Sequence, residues 1–68
     1  MKRWQLKAGL LLLGWCPVRA AIEFDTTAGT ITSLLEGDLD EELNHRVADR
    51  ARHFFLQRNL SLRLNSQN

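Results

Sequence analysis

Four polar side chains spaced four residues apart give this sequence its nearest approach to a metal site. They are Glu41, His45, Asp49 and His53. On an α-helix this spacing forms one row on the polar face, where imidazole and carboxylate groups could ligate a divalent cation. One ion cannot bridge His45 and His53, because they lie two turns or about 12 Å apart. Ordinary i, i+4 pairing is the simpler interpretation, so His45, Asp49 and His53 stay weak metal candidates.

The residue types give little support for catalysis. No Ser, Thr or Lys lies in a recognisable nucleophile motif, and residues 21–68 contain neither Lys nor Cys. A catalytic site also needs a concave pocket that excludes water, and 48 residues can hardly build one. The sequence therefore predicts a protein that is not an enzyme and requires no cofactor.

Residues 1–20 have the three parts of a secretory signal peptide: a basic start, an apolar run over Ala8–Cys16, and small residues at Val18 and Ala20 that form a cleavage site. The basic residues are Lys2, Arg3 and Lys7. The sequence therefore predicts a chain exported to the periplasm or the extracellular space. Removal of residues 1–20 would leave residues 21–68 as a single small mature domain or a partner-dependent segment.

An uncleaved membrane anchor is the competing interpretation of this segment. A helix that spans the hydrocarbon core needs about 20 apolar residues. The uncharged run Ala8–Val18 has eleven residues, with two glycines and a proline among them, so a cleavable signal is favoured. Cys16 follows the bulky Trp15, which argues against lipidation of this cysteine. Cleavage after Ala20 removes Cys16, so the mature chain would have no thiol for a disulfide.

Charge is distributed unevenly along residues 21–68. This segment has eight acidic residues and five arginines, for a formal charge of −3. All the acidic residues except Asp49 precede Asn44, and all five arginines follow it. A net acidic exported chain lacks the basic surface of a nucleic-acid-binding protein, so no nucleic-acid partner is expected.

The strongest helical pattern after the N-terminal segment covers residues 38–59. Asp38 is a suitable N-cap with Glu41 at the capping-box position, and the segment has no internal Gly or Pro. At 100° per residue its apolar side chains fall on one arc of about 160°. We predict an amphipathic helix whose apolar stripe faces a partner. The stripe residues are Leu39, Leu43, Val47, Ala51, Phe54 and Phe55.

The flanking segments favour short strands. Ile22–Asp25 alternates apolar and acidic residues, and a turn containing Gly29 separates it from a β-branched run, so we predict a hairpin over residues 22–34. A short helix from Thr30 or Thr32 to Glu36, ended by Gly37, is the alternative. Residues 60–65 also alternate, which predicts a C-terminal strand, although this segment could instead prolong the helix. The predicted fold is therefore small α+β, with a mostly α fold as the alternative. The strand would add Leu60, Leu62 and Leu64 to the partner-facing surface.

These elements predict a small binding or structural protein. A core of 48 residues without disulfides or a structural metal barely offsets the conformational entropy lost on folding. The apolar stripe therefore needs cover, either from a second copy or from a larger partner protein. Two alternatives involve a membrane: Arg46–Leu64 as an interfacial amphipathic peptide, or an uncleaved Met1–Val18 as a tether.

Overall fold

The computed structural model describes residues 1–58, which form four α-helices. They are α1 (Arg3–Leu13), α2 (Pro17–Phe24), α3 (Ala28–Glu36) and α4 (His45–Gln57). Residues 1–58 contain no strand, and their one isolated β-bridge pairs Lys2 with Glu42. The predicted α+β fold is therefore wrong, and the fold of the described part of the chain is mostly α. The predicted C-terminal strand over residues 60–65 lies outside the described residues.

The predicted hairpin over residues 22–34 is wrong because its first half belongs to α2. Pro17 occupies the first turn of this helix, where its fixed φ and missing N–H carry no cost. Phe24 is 1% exposed whereas Ile22 is 71% exposed. The two residues lie about 200° apart on a helix, so the alternation that resembled a strand is the edge of a helical pattern. Asp25 ends α2 in the left-handed conformation, with φ of 59°.

The second half of the predicted hairpin is α3, which ends at Glu36 as the alternative interpretation has it. Thr27 is the N-cap: its Oγ1 accepts a hydrogen bond from the backbone N–H of Thr30 at 3.2 Å. Ile31 and Leu34, three residues apart, are both buried. A local cap and i, i+3 burial thus override the β propensity of the Thr–Ile–Thr run.

Helix α4 begins at His45, seven residues later than the predicted start at residue 38. Asn44 is the N-cap, since its Oδ1 accepts a hydrogen bond from the backbone N–H of Val47 at 2.9 Å. Asp38 caps only a local turn, where its Oδ1 accepts from the N–H of Asp40. The helix ends at Gln57, and the predicted end at residue 59 lies outside the described residues.

Substitution of the two candidate caps tests where α4 begins. We expect Asn44→Ala to lower the free energy of unfolding by about 1 kcal/mol, because one helical N–H loses its acceptor. Asp38→Ala should change it by less than about 0.5 kcal/mol, since the side chain is exposed and caps no helix. Urea denaturation followed by circular dichroism gives both values. If Asp38→Ala lowers the free energy of unfolding more than Asn44→Ala does, the helix begins at Asp38 and not at His45.

One apolar core joins all four helices. Helices α2 and α3 pack against each other along most of their lengths, and α1 packs against both α3 and α4. The first helix ends at Gly14, whose φ of 73° suits a residue without Cβ. The buried apolar residues are Leu6, Leu10, Ala20, Ala21, Phe24, Ile31, Leu34, Leu43, Val47, Ala48, Ala51 and Phe55.

Candidate binding surface

The structure places the predicted partner-facing stripe inside the core of the 68-residue chain. Val47, Ala51 and Phe55 are 5%, 0% and 0% exposed, and Leu43 just before α4 is 7% exposed. Phe54 packs against this cluster and is partly buried. Leu39, also partly buried, lies in the segment before α4 rather than in the helix. Leu60, Leu62 and Leu64 lie outside the described residues.

Helix α1 covers the stripe, and its closest approach to α4 is at Gly9. A Cβ atom at this position would lie 2.2 Å from Cζ and 2.4 Å from Cε2 of Phe55. Only glycine lets the aromatic ring lie directly against the α1 backbone. Leu6 and Leu10 share this face of α1 and are 0% and 3% exposed. One face of the predicted signal segment, formed by Leu6, Gly9 and Leu10, is thus buried in the core and contacts the predicted partner surface at Phe55.

Residues 1–4 also pair with the segment that leads into α4. Three backbone hydrogen bonds join the two segments: Arg3 N–H to Glu41 O, Trp4 N–H to Leu39 O, and Leu43 N–H to Met1 O, at 2.8–3.0 Å. Two ion pairs flank them: the amino terminus lies 3.3 Å from Glu42 Oε1, and Arg3 Nη2 lies 3.1 Å from Glu41 Oε1. This pairing holds residues 39–43 in a turn followed by an isolated bridge at Glu42, and α4 starts only after it, at His45.

An aromatic cluster closes the other end of the stripe. The ring centroid of Trp15 lies 6.1 Å from that of Phe24 and 5.3 Å from that of Phe54, in tilted and edge-on arrangements. The guanidinium of Arg19 lies 4.8 Å from the Trp15 ring centroid, within the range of a cation–π contact. This cluster joins the α1–α2 connection to α4, so residues of the predicted signal segment contact the stripe at both ends.

The predicted cleavage position lies inside α2. Val18 is 58% exposed, but Ala20 and Ala21, which flank the bond to be cut, are 0% and 5% exposed. Proteolysis needs an extended and accessible backbone, so this bond becomes a substrate only when α2 is unfolded. Cleavage of residues 1–20 stays a prediction, and it would have to occur before the chain adopts this fold.

Of the three weak metal candidates, the structure brings only His45 and Asp49 together. His45 Nε2 lies 3.4 Å from Asp49 Oδ2 as an exposed i, i+4 pair, and Arg52 Nη1 contacts the other oxygen of Asp49 at 3.3 Å. The His53 ring instead stacks edge-on against Phe54, with centroids 5.5 Å apart. Within residues 1–58 no group of three His, Cys, Asp or Glu side chains is placed to hold a metal ion.

Cys16 is exposed and occupies the N-cap position of α2. The backbone N–H groups of Arg19 and Val18 lower the pKa of the thiol from its ordinary value, with a smaller contribution from the Arg19 charge, although the sulfur accepts no capping hydrogen bond. Within residues 1–58, Cys16 belongs to no group of three His, Cys, Asp or Glu side chains that could hold a metal ion. A more acidic thiol without a base or a pocket is not in itself a catalytic arrangement.

A shallow cleft lies where the end of α2 and the start of α4 meet. An exposed ion pair crosses it, with Arg46 Nη2 3.1 Å from Asp25 Oδ2. The one carboxylate of its lining, that of Asp25, is the partner of Arg46 in this ion pair. The cleft is lined by Phe24, Asp25, Thr26, Thr30, Asn44, Arg46 and Val47.

Sequence reasoning missed the residues of α1 that complete this surface. Leu6, Gly9 and Leu10 were assigned only to the signal segment and its apolar run. Their spacing is nevertheless typical of a helix face that packs closely on another helix, with a small residue between two leucines. That pattern was available in the sequence, but it does not distinguish a core helix from an exported leader.

No known protein family, curated protein or solved structure matches this chain. Within residues 1–58 no helix combines the length and the apolar composition that crossing a bilayer requires. The assignment of a function therefore depends on the geometry described above.

Proposed function

We propose that this chain is a small, exported, non-enzymatic binding protein whose partner surface is the apolar stripe of α4. In the 68-residue form that surface is covered by residues 1–20. Without these residues, Val47, Ala51 and Phe55 face a larger partner or a second copy of the chain. The close packing of Gly9 on Phe55 carries this proposal, because it identifies what the stripe loses when the N-terminal segment is absent.

Energetics support the need for a replacement cover. Exposing a buried Leu, Val or Phe side chain to water costs about 1.5–3 kcal/mol. Loss of residues 1–20 removes the α1 backbone that packs on Phe55 and also the buried side chains of Leu6, Leu10 and Ala20. A domain this small has only about 3–5 kcal/mol of stability to lose. Residues 21–68 alone therefore favour association, which buries the stripe again.

The proposal is tested by comparing residues 21–68 with the 68-residue chain. Light scattering after size exclusion at 1–100 μM should give a monomer for the long form and concentration-dependent oligomers for the short form. The short form should also increase the fluorescence of an apolar dye, because the stripe is exposed to solvent in those short chains that are dissociated. A short form that stays monomeric and melts cooperatively, independently of dilution, would contradict the proposal.

Substitutions at two neighbouring positions of residues 21–68 distinguish association through the stripe from nonspecific association. Phe55→Asp places a charge on the stripe at its largest fully buried side chain and should abolish oligomers. Leu56→Asp is the matched control, because Leu56 is 53% exposed in the 68-residue chain and lies outside the stripe. Equal loss of association in both variants would show that α4 does not associate through this face.

Export itself is tested by the intact mass of the protein recovered from its own cells. A mass that begins at Ala21 is expected, and a mass that includes Met1 would show that the cover is retained.

A further inference from the structure

The outward faces of α1 and α2 carry most of the exposed apolar surface. Among the described residues, six large apolar side chains are more than 40% exposed, and five of them lie in residues 4–22. On α1, Trp4 and Leu11 lie opposite the buried face that contacts Phe55, and Leu12 lies to one side of that face. On α2, Val18 and Ile22 are one turn apart and form a ridge. The exposed fractions are Trp4 41%, Leu11 74%, Leu12 63%, Val18 58% and Ile22 71%.

The charged side chains within the sequence of residues 1–22 all have one sign. Residues 1–22 contain four basic and no acidic side chains, whereas all eight acidic residues of the chain lie from Glu23 onward. Arg3 pairs with Glu41, and Arg19 pairs with Glu23. Lys7 lies between Trp4 and Leu11 on the outward face of α1 and has no ion pair within residues 1–58. An uncompensated lysine therefore accompanies the apolar face.

The length of α1 suits a helix that lies along a membrane surface. Its eleven residues extend about 16 Å, half the thickness of the hydrocarbon core. Helices in the interface bury an apolar face 5–10 Å deep and hold Trp and Lys at the headgroup level. Trp4, Lys7 and Leu11 supply those three features on one face.

We propose that the 68-residue chain docks on an anionic lipid bilayer through an outer face defined as Trp4, Lys7, Leu11 and Leu12 of α1, with Val18 and Ile22 of α2 as a second contact. The exposed side chains stand on two convex helices rather than in a groove, so a fluid surface covers them more completely than a rigid protein does. Lys7 attracts anionic headgroups, while the core contact between Gly9 and Phe55 stays intact on the opposite side of α1. This inference concerns the chain with its N-terminal segment in place and does not depend on the proposed function.

Binding of the folded 68-residue chain to vesicles tests this inference. Vesicles of phosphatidylcholine and phosphatidylglycerol at 3:1 should sediment the protein and shift its tryptophan emission to the blue. Vesicles of phosphatidylcholine alone should bind it more weakly, and the difference should shrink in high salt, where the attraction of Lys7 is screened. Absence of binding to either vesicle would overturn the inference.

Matched variants identify the face that binds. Leu11→Gln with Leu12→Gln should lower the partition coefficient at least about tenfold, since two exposed leucines lose their transfer into lipid. Leu56→Gln, an exposed leucine on α4, is the control and should leave it unchanged. Equal partition of all three proteins would overturn the proposal. The proposal would also be overturned if the substitutions at Leu11 and Leu12 weakened only concentration-dependent dimers, because the outer face would then bind a second copy of the chain.

Hydrogen exchange on the vesicle-bound protein distinguishes binding by the folded chain from binding by an unfolded chain. The amides of Val47–Phe55 should keep their protection when the outer face is docked, because the buried side of α1 does not move. Loss of that protection on binding would show that the lipid opens the core, which contradicts docking through the folded outer face. Val18→Gln with Ile22→Gln then gives an independent measure of the contribution of α2.

Discussion

Phe55→Ala is expected to lower the free energy of unfolding by about 3–5 kcal/mol, the range measured when a buried aromatic residue is truncated in a packed core. Phe55 is completely buried, and its ring fills the space between α4 and the backbone of α1 at Gly9. The stability of so small a domain is of the same order. The 68-residue variant should therefore be largely unfolded at 25 °C, as thermal denaturation followed by circular dichroism would show.

Leu56→Ala is the control for this substitution. Leu56 is the next residue on α4 and is 53% exposed, so its truncation should cost less than about 1 kcal/mol. Both substitutions introduce alanine into the same helix. A large difference between their changes in the free energy of unfolding would therefore be due to burial and not to helix propensity. Similar melting temperatures for the two variants would mean that α1 does not pack on Phe55.

Gly9→Ala is expected to destabilise the chain even though alanine is the better helix former. The added methyl group meets the Phe55 ring at 2.2 Å, and either the ring or α1 must move. Overpacking of this kind costs about 1–3 kcal/mol, whereas replacing glycine by alanine in a helix gains about 1 kcal/mol. At a fully buried contact we expect the overpacking cost to be the larger of the two. Urea denaturation of the 68-residue chain gives the net change.

Gly29 provides the opposite case in α3. A Cβ atom there meets nothing within 4 Å, so Gly29→Ala should raise the free energy of unfolding by about 0.5–1 kcal/mol. The same substitution thus has opposite signs at two helical glycines, and only the contact with Phe55 distinguishes them. Stabilisation at both positions would contradict the close packing of α1 on α4.

The amphipathic stripe could be predicted because it depends on local spacing. Val47, Ala51 and Phe55 recur at intervals of four residues without a break, and the structure buries all three. The start of α4 could not be predicted in this way. Asp38 is as suitable a cap as Asn44, and the choice is made by hydrogen bonds from residues 1–4, about 40 positions away in the chain. Local propensity contains no information about such pairing.

The hairpin prediction was wrong where a short segment fits both the two-residue period of a strand and the 3.6-residue period of a helix. Over four residues, Ile22–Asp25 fits a strand that alternates and equally fits the end of a helix that began at Pro17. The apolar run of residues 8–16 was ambiguous in a similar way. Leucines that resemble the centre of a signal peptide also resemble one side of a short core helix, and in this fold Leu10 is buried while Leu11 and Leu12 are exposed. Composition alone does not separate these roles.

The packing of the N-terminal segment on α4 is tested most directly by nuclear magnetic resonance of the 68-residue chain. The Cβ position of Gly9 is occupied by one of its α-protons, which therefore lies against the ring of Phe55. We expect strong nuclear Overhauser effects between the Gly9 α-protons and the Phe55 ring protons, and a Gly9 α-proton signal displaced by the ring current. A Gly9 signal at its random-coil position, without any cross-peak to Phe55, would show that residues 1–20 do not cover the stripe.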